Sequence, residues 1–359
     1  MTKKIKTMNQ FNINNIIRPN VKAMKAYSSA RDEFQEINDD FIFLDANENP
    51  FNNGLNRYPD PLQRNVKTIL SEIKNFPANQ ILLGNGSDEV LDLIFRAFCE
   101  PNQDNVIAIS PSYGMYSVLA NLNAIEYRKS LLNEEDFQPN IDNIFEKVDE
   151  NTKMIFLCSP NNPTGEIIKR ESILEIVNSF NGLIIIDEAY IDFANDPFWI
   201  QEIQNYPNVI VTQTLSKAVG LAGIRLGILY ASQEIVDVLN KIKPPYNINQ
   251  LTQLKAIEIL SNYDKVIDAT KLIIQQKKIL EKALTEISFV KKIYPSDANF
   301  ILIKVDNANE RYNQLVKKGI IIRNRTKDDL CENCLRITVG TEEENGKLII
   351  TLKDLGRKI

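Results

Sequence analysis

The run LIII at residues 183–186, followed by DEAY at 187–190, is a short apolar segment that ends in a carboxylate. Five further apolar runs are each followed by polar, Gly- or Pro-rich text, and they lie at 80–83, 105–109, 153–158, 209–212 and 225–230. Continuous apolar runs indicate strands buried on both faces, which is typical of a mostly parallel sheet covered by helices. In open α/β sheets, ligands bind outside the carboxyl ends of the strands. The sequence therefore predicts an α/β fold with a site built from the text that follows each strand.

The pattern changes after Pro245. Long amphipathic stretches from 249 to 287 predict helices, and short apolar runs at 300–305, 320–323 and 335–339 predict strands before a last helix from 343. Such a mixture is typical of a smaller α+β domain. We expect three parts: a segment, 1–44, that docks on the small domain, a large domain at 45–248, and the small domain at 249–359.

Charge and hydropathy exclude several classes of protein. The 42 Lys and Arg residues are outnumbered by 47 Asp and Glu residues, so the net charge of -5 argues against a nucleic-acid partner. No apolar run reaches the roughly 18 residues that span a bilayer, and the basic opening lacks the apolar core of a secretory signal. We therefore expect no membrane partner and a cytoplasmic location.

The chain contains no histidine. Ser-His-Asp and Cys-His catalysis and His-ligated metal sites are therefore excluded. Cys331 and Cys334 form the single C-x-x-C pair, and without a second pair or a histidine we expect reduced thiols and no metal site. Proton transfer near neutral pH must then use another side chain or a cofactor.

Two charged residues follow predicted buried strands. Lys217 lies in TLSKA after the run at 209–212, where desolvation would lower the pKa of its amine and favour a nucleophilic, neutral form. Asp187 ends its own strand and could be a metal ligand, a general base or the counter-ion of a buried cation. The plain alternatives are a solvated surface lysine and a helix N-cap.

Polar residues after other strands are further candidates. In SPNNPTG at 159–165, Asn162 lies between prolines in a rigid turn, and we predict a cis peptide bond between Asn162 and Pro163. The glycine turn before a helix at 84–89 suits a phosphate, although an ordinary N-cap has the same appearance. Candidates that also have unremarkable core or surface explanations are Tyr113, Tyr190, Arg225, Arg323 and Arg336.

The ordered motifs NGSDE, PSYGMY, SPNNPTG, DEAY, TLSKA and LRITVG resemble those of the fold-type I pyridoxal-phosphate (PLP) aminotransferases. Among these aminotransferases, the histidinol-phosphate aminotransferases carry motifs similar to DANENPF, RYPDP and CLRITVG. The resemblance covers about 27–340. It implies a mostly parallel seven-stranded sheet in the large domain, a covalent bond from Lys217 to the cofactor, and Asp187 against the pyridine nitrogen. The remaining cofactor contacts implied are Asn162 and Tyr190 at the ring oxygen, Tyr113 stacked on the ring, and Gly86, Ser87, Asp88, Thr214, Ser216 and Arg225 at the phosphate.

The resemblance also implies substrates and a partner. Tyr58 would contact the cofactor phosphate bound by a neighbouring subunit, so the active unit would be a homodimer with shared sites. Substrate contacts would come from Tyr27, Asn47, Glu48, Arg323 and Arg336. The implied reaction is a ping-pong step of histidine biosynthesis that passes an amino group between L-glutamate/2-oxoglutarate and imidazole-acetol phosphate/L-histidinol phosphate.

Several other functions compete with this interpretation. Aromatic amino-acid transamination and threonine-phosphate decarboxylation are the alternatives within the same fold. A PLP-sensing regulator would need a DNA-binding module, and the stretch before DANENP has neither a helix-turn-helix pattern nor a basic patch. A purely structural α/β module would have no use for the Lys, Asp and Arg set.

Overall fold

The computed structural model describes residues 11–26 and 41–357, and these residues form two β-sheets. The larger sheet has seven strands in the order β1-β7-β6-β5-β4-β2-β3. Its strands β2 to β6 pair in parallel, whereas β7 runs antiparallel to both of its neighbours. The strand bounds are β1 Ile81–Asn85, β2 Asn105–Ser110, β3 Glu126–Leu131, β4 Thr152–Cys158, β5 Leu183–Asp187, β6 Val209–Thr214 and β7 Leu226–Tyr230. The predicted α/β class and mostly parallel seven-stranded sheet are confirmed.

Burial on both faces explains the uninterrupted apolar strands. All five residues of β5 are buried, with Ile184 and Ile186 in one hydrophobic cluster and Leu183 and Ile185 in the other. Successive side chains of a strand point to opposite faces, so the two clusters are the cores above and below the sheet. The helices before and between the strands are α1 Pro19–Ala23, α2 Arg64–Lys74, α3 Gly86–Phe98, α4 Met115–Leu122, α5 Ile141–Glu146, α6 Arg170–Ser179 and α7 Gln233–Ile242.

The smaller sheet is antiparallel, in the order β10-β11-β9-β8. Its strands are β8 Val290–Ile293, β9 Phe300–Val305, β10 Arg323–Asn324 and β11 Cys334–Thr338. The accompanying helices are α8 Gln250–Leu260, α9 Tyr263–Leu284, α10 Ala308–Lys317 and α11 Glu342–Gly356. Helix α11 begins with a capping box between Thr341 and Glu344, which satisfies amide donors at its first turn.

The strand predicted at 320–323 was wrong over most of its length, because only Arg323 and Asn324 pair with β11. The end of α10 accounts for the difference. Gly319 has a left-handed φ of +79°, and the N–H of Ile320 donates to the carbonyl of Leu315 at 3.0 Å. This pattern closes a helix C-terminus, so the backbone becomes available for a ladder only further along the chain.

Residues 11–26 of the N-terminal segment pack on the large domain, whereas docking on the small domain was predicted for the segment 1–44. Ile13, Ile16 and Val21 join the hydrophobic cluster that contains the buried face of α3. The N–H of Arg18 donates to the carbonyl of Ala97 at 3.0 Å, and its side chain pairs with Glu100 at 3.3 Å. Residues 11–26 therefore cover a helix of the large domain.

Two further findings concern the part of the chain that the structure describes. None of its helices is both long and apolar enough to cross a membrane. All four cysteines are buried and free.

Candidate active site

A cleft of about 490 Å³ opens at the carboxyl ends of β4, β5 and β6, beside the first turn of α3. We call it the Lys217 cleft. Most of its described lining comes from the segments singled out in the sequence: Ser87, Asp88, Tyr113, Cys158, Asn162, Asp187, Ala189, Tyr190, Thr214, Ser216, Lys217 and Arg225. The fold therefore gathers residues from six separate stretches of sequence into one site.

Lys217 follows β6 in a tight turn, in which its carbonyl accepts from the N–H of Gly220 at 3.1 Å. Its side chain is half-buried, and Nζ lies 5.4 Å from the centroid of the Tyr190 ring. Burial lowers the pKa of the amine below its ordinary value, and the positive charge of Arg336 lowers it further. A larger neutral fraction makes the amine a better nucleophile toward a carbonyl carbon.

Asp187 is the last residue of β5, and its side chain is buried. Tyr116 donates its hydroxyl to Oδ2 at 2.7 Å, and the N–H of Ala189 donates to Oδ1 at 3.2 Å. Burial raises the pKa of the carboxyl, because the charged form loses its hydration. A cation placed against Asp187 would restore the charged form. This environment suits a counter-ion better than the cap of a long helix, since only a short 3-10 turn, Ile191–Phe193, follows.

The Asn162 turn joins the large domain to the small one. The peptide bond between Asn162 and Pro163 is cis, as predicted. Asn162 directs Nδ2 toward the Tyr190 hydroxyl at 3.5 Å, and its Oδ1 accepts a close hydrogen bond from Nη1 of Arg336. Arg336 belongs to β11, so this bond links the strand of the small domain to the cleft.

One end of the cleft is suited to a phosphate. Gly86, with φ of +75°, begins α3, and an added Cβ would lie 2.6 Å from Nη2 of Arg225. The Arg225 carbonyl accepts from the N–H of Gly86 at 3.1 Å, which holds the guanidinium beside the helix start. Hydroxyls of Thr214 and Ser216 are 3.0 Å apart on the same side. Backbone amides at a helix N-terminus, a guanidinium and hydroxyls together form a favourable anion site.

Asp88 and Tyr113 border this end. The Tyr113 hydroxyl donates to Oδ1 of Asp88 at 2.9 Å, and Arg225 Nη2 lies 3.6 Å from the other carboxylate oxygen. The Asp88 side chain thus contacts both an aromatic ring and a guanidinium. Tyr113 also meets Tyr116 edge to face, with ring centroids 5.6 Å apart.

Other predicted residues lie elsewhere. Asn47 and Tyr58 line a second, more open cleft of about 1830 Å³, which we call the Tyr58 cleft; it is lined by 45–48, 55–59, 245–246 and 249–251. Tyr58 stacks on Tyr246 with centroids 4.5 Å apart, and Glu48 accepts from Arg57 at 2.8 Å. Arg323 is exposed, opposite Arg336 in the ladder. Tyr27 lies outside the described residues.

Cys158 and Tyr116 contribute polar groups to the site that the sequence analysis did not predict. Cys158 ends β4 directly beside Asp187 in the parallel register, so the matching ends of the two apolar runs could have identified it. Tyr116 is fully buried in the first turn of α4, and no sequence pattern predicts that its hydroxyl meets Asp187. Cys158 lines the cleft and Tyr116 contacts its lining residue Asp187, and both are buried, where polar groups require partners.

Comparison with known proteins agrees with this geometry. Residues 39–352 match the family model of aminotransferases of class I and II. A histidinol-phosphate aminotransferase of Flavobacterium johnsoniae is 62% identical over 347 residues, which are 96% of this chain and 99% of that protein.

Two solved structures share the fold. A histidinol-phosphate aminotransferase from Clostridium acetobutylicum has a TM-score of 0.78 at 26% identity, over 85% of this chain and 92% of that one. A second, from Sinorhizobium meliloti in complex with pyridoxal-5'-phosphate, has a TM-score of 0.75 at 22% identity, over 84% and 83%. This chain therefore belongs to the class I and II aminotransferases, in the group of histidinol-phosphate aminotransferases.

Proposed function

We propose that this chain uses PLP in the Lys217 cleft to transfer the amino group of L-glutamate to imidazole-acetol phosphate, which yields 2-oxoglutarate and L-histidinol phosphate. The observation that carries the proposal is the convergence of a half-buried lysine and a buried carboxylate in one cleft with an anion site at its end. Relatives that match over nearly their full length and are named histidinol-phosphate aminotransferase support the choice of substrates.

The residues of the cleft fit this cofactor. When bound, PLP supplies an electron sink for the carbon that carries the amino group. Asp187 would face the pyridine nitrogen, and the positive charge there would keep its buried carboxylate ionised. Asn162 and Tyr190 would bind the ring oxygen, and Tyr113 would lie against the ring. The start of α3, with Arg225 and the hydroxyls of Thr214 and Ser216, would hold the phosphate.

Lys217 would transfer the proton to and from the reacting carbon. Its lowered pKa enlarges the neutral fraction of the amine, and a neutral Nζ can accept a proton and return it to a neighbouring atom. In the free enzyme the same nitrogen would hold the cofactor covalently. Tyr190 limits the directions open to this side chain, because its ring lies 5.4 Å from Nζ.

One pocket would serve both substrates in turn, as a ping-pong scheme requires. Arg336 would bind the anionic end of each, a carboxylate of glutamate or the phosphate of histidinol phosphate, through its planar guanidinium. Its hydrogen bond to Asn162 connects that end to the cofactor ring. 2-Oxoglutarate leaves before the phosphorylated substrate binds. Asn47, Glu48 and Arg323 would complete the substrate contacts in the assembled enzyme.

The active unit in this proposal is a homodimer with shared sites. The Tyr58 cleft supports it, because large apolar side chains around it are exposed, including Leu55 at 53% and Leu251 at 61%. Adjacent Leu44 is 89% exposed. A partner subunit would cover this surface and receive Tyr58 at its own cofactor phosphate. We expect the enzyme in the cytoplasm, where buried free thiols persist.

Steady-state assays with histidinol phosphate, phenylalanine and threonine phosphate test the substrate. We expect kcat/KM to be highest for histidinol phosphate, with 2-oxoglutarate as acceptor. Equal or higher kcat/KM with phenylalanine would assign the chain to aromatic transamination. Release of carbon dioxide from threonine phosphate would assign it to decarboxylation.

A further inference from the structure

Three arginines of the small sheet lie on β10, on β11 and directly after β10. Arg323 lies opposite Arg336 in the β10–β11 ladder, and the N–H of Arg325 donates to the carbonyl of Cys334 at 2.9 Å, one step beyond the end of β10. Side chains alternate along a strand, and directly paired residues share a face. Arg323, Arg325 and Arg336 therefore lie on the same face of this sheet.

That face looks toward the large domain. Leu335 and Ile337, which flank Arg336 in β11, belong to the core of the small domain. Leu302, the partner of Arg336 in β9, and Cys334 belong instead to the cluster that includes the core of the large sheet. The bond between Arg336 and Asn162 crosses the same boundary. The three arginines thus lie on the side of the small sheet from which Arg336 reaches Asn162 of the Lys217 cleft.

Arg325 is part of this electrostatic environment. Burial raises the pKa of the Tyr190 hydroxyl, while the positive charges of Arg336 and Arg325 oppose that effect. The Arg325 side chain is 21% exposed, compared with the exposed Arg323. A charge that acts on Tyr190 and is largely removed from solvent acts on whatever binds beside Tyr190.

Several donors in this region lack a partner. Among residues 11–26 and 41–357, nothing accepts a hydrogen bond from Nε of Arg325, Nε of Arg336 or the hydroxyl of Thr326, and all three atoms are buried. Nη2 of Arg325 pairs with Asp328 at 2.5 Å, which holds the guanidinium in place. Buried donors without acceptors are costly, so a bound group rich in acceptors would be favoured here.

We propose that Arg325, beside Arg336 and Thr326, binds the phosphate end of the phosphorylated substrate and discriminates it from the carboxylate of glutamate. This inference rests on the proposed function and assigns a specificity-determining residue to it. A phosphate monoester offers three acceptor oxygens and nearly two negative charges, whereas a carboxylate offers two oxygens and one charge. Arg336 alone can satisfy a carboxylate in a bidentate manner, and the second arginine adds affinity only for the larger anion.

The two half-reactions, followed separately through the absorbance of the bound cofactor, test this assignment. In R325Q we expect the concentration of histidinol phosphate at half-maximal rate to rise about tenfold or more, the loss typical of a charge-assisted hydrogen bond. The value for glutamate should change less than about threefold, because Arg336 alone satisfies a carboxylate in a bidentate manner. R325K, which keeps the charge, should recover part of the loss. K327Q removes an exposed charge from the same loop and should leave both values unchanged.

Inorganic phosphate provides a test that does not depend on the natural substrate. It should inhibit the glutamate half-reaction competitively, with an inhibition constant about tenfold weaker in R325Q than in the K327Q control. Equal losses for both half-reactions in R325Q and R325K, or no loss for phosphate, would overturn the role of Arg325. A wild-type enzyme that reacts with glutamate but not with histidinol phosphate would instead overturn the proposed function.

Discussion

The Lys217 cleft and the Tyr58 cleft are made from different kinds of surface. In the first, buried polar groups are held by neighbours within the same chain, as Asp187 is by Tyr116 and Ala189. In the second, exposed apolar side chains such as Leu55 and Leu251 surround Tyr58. The reacting groups are organised by the fold of one chain, whereas in the proposed homodimer a partner subunit would complete the Tyr58 cleft.

Removal of the reacting amine from the Lys217 cleft should have the largest effect. Lys217→Ala should lower kcat/KM by about 10⁴-fold, since proton transfer by a positioned group supplies up to roughly that factor. Steady-state kinetics measure the loss, and circular dichroism checks the fold. Lys271→Ala, on the exposed side of α9, is the matched control and should keep full activity. A Lys217→Ala enzyme with more than a tenth of the normal rate would remove this lysine from the mechanism.

The charge of Asp187 comes next. Asp187→Asn keeps an acceptor for Tyr116 but cannot balance a pyridinium, so kcat should fall by about 10²- to 10³-fold. Tyr116→Phe leaves the charge and removes one hydrogen bond, which should cost about tenfold. Steady-state kinetics of Asp187→Asn and Tyr116→Phe separate the effect of the carboxylate charge from the effect of its hydrogen bond. Similar losses in both variants would mean that hydrogen bonding, and not charge, is what Asp187 provides.

The pH dependence of the free energy of unfolding should reveal the buried carboxyl of Glu188. Glu188 is 1% exposed, and burial raises its pKa from 4.5 to about 7. The folded protein then binds more protons than the unfolded chain between these two values, so Glu188 makes the free energy of unfolding fall as pH rises through this window. The contribution is at most about 3 kcal/mol.

Glu188→Gln removes that titration. Denaturant unfolding at pH 5 and pH 7.5 should give a smaller decrease for the variant than for the wild type, whatever the offset between the two proteins at pH 5. An identical pH dependence would mean that Glu188 is ionised at pH 5 despite its burial.

The smallest effect should come from the Tyr58 cleft. Leu44→Glu places a charge on a side chain that is 89% exposed in the single chain. If a partner covers it, the dimer dissociation constant should rise about tenfold or more, as expected from the loss of one buried leucine. Sedimentation velocity across a concentration series measures this. Leu272→Glu, on α9 and 63% exposed, is the control that should leave assembly unchanged. Equal behaviour of the two variants would place the interface elsewhere.

The sequence predicted the central strands because they are buried on both faces and therefore have no polar positions. Strand β3, EYRKSL, lies at the edge of the sheet, and most of its residues are partly or fully exposed. Its sequence is polar and contains no apolar run, so this strand was not predicted. Strand β8, VKKI, was missed for the same reason. The apolar run at 320–322 was wrongly predicted to be a strand, because those residues close the end of α10.

The candidate site divides in a similar way. Lys217, Asp187 and Asn162 follow central strands, so their convergence could be predicted from the rule that strand ends share an edge. The Tyr116 hydroxyl, the open Tyr58 cleft and the three-arginine face depend on packing between elements that lie far apart in the sequence. The N-terminal segment shows the same limit, since its apolar residues do not specify which domain they cover.

Borohydride reduction followed by peptide mass spectrometry determines whether Lys217 holds the cofactor covalently. The proposed role of Lys217 predicts one added pyridoxyl-phosphate group in protein saturated with PLP, on the peptide that contains Lys217, and none when glutamate is supplied first without an acceptor. An unmodified Lys217 in fully loaded protein, or modification of another lysine in its place, would contradict it.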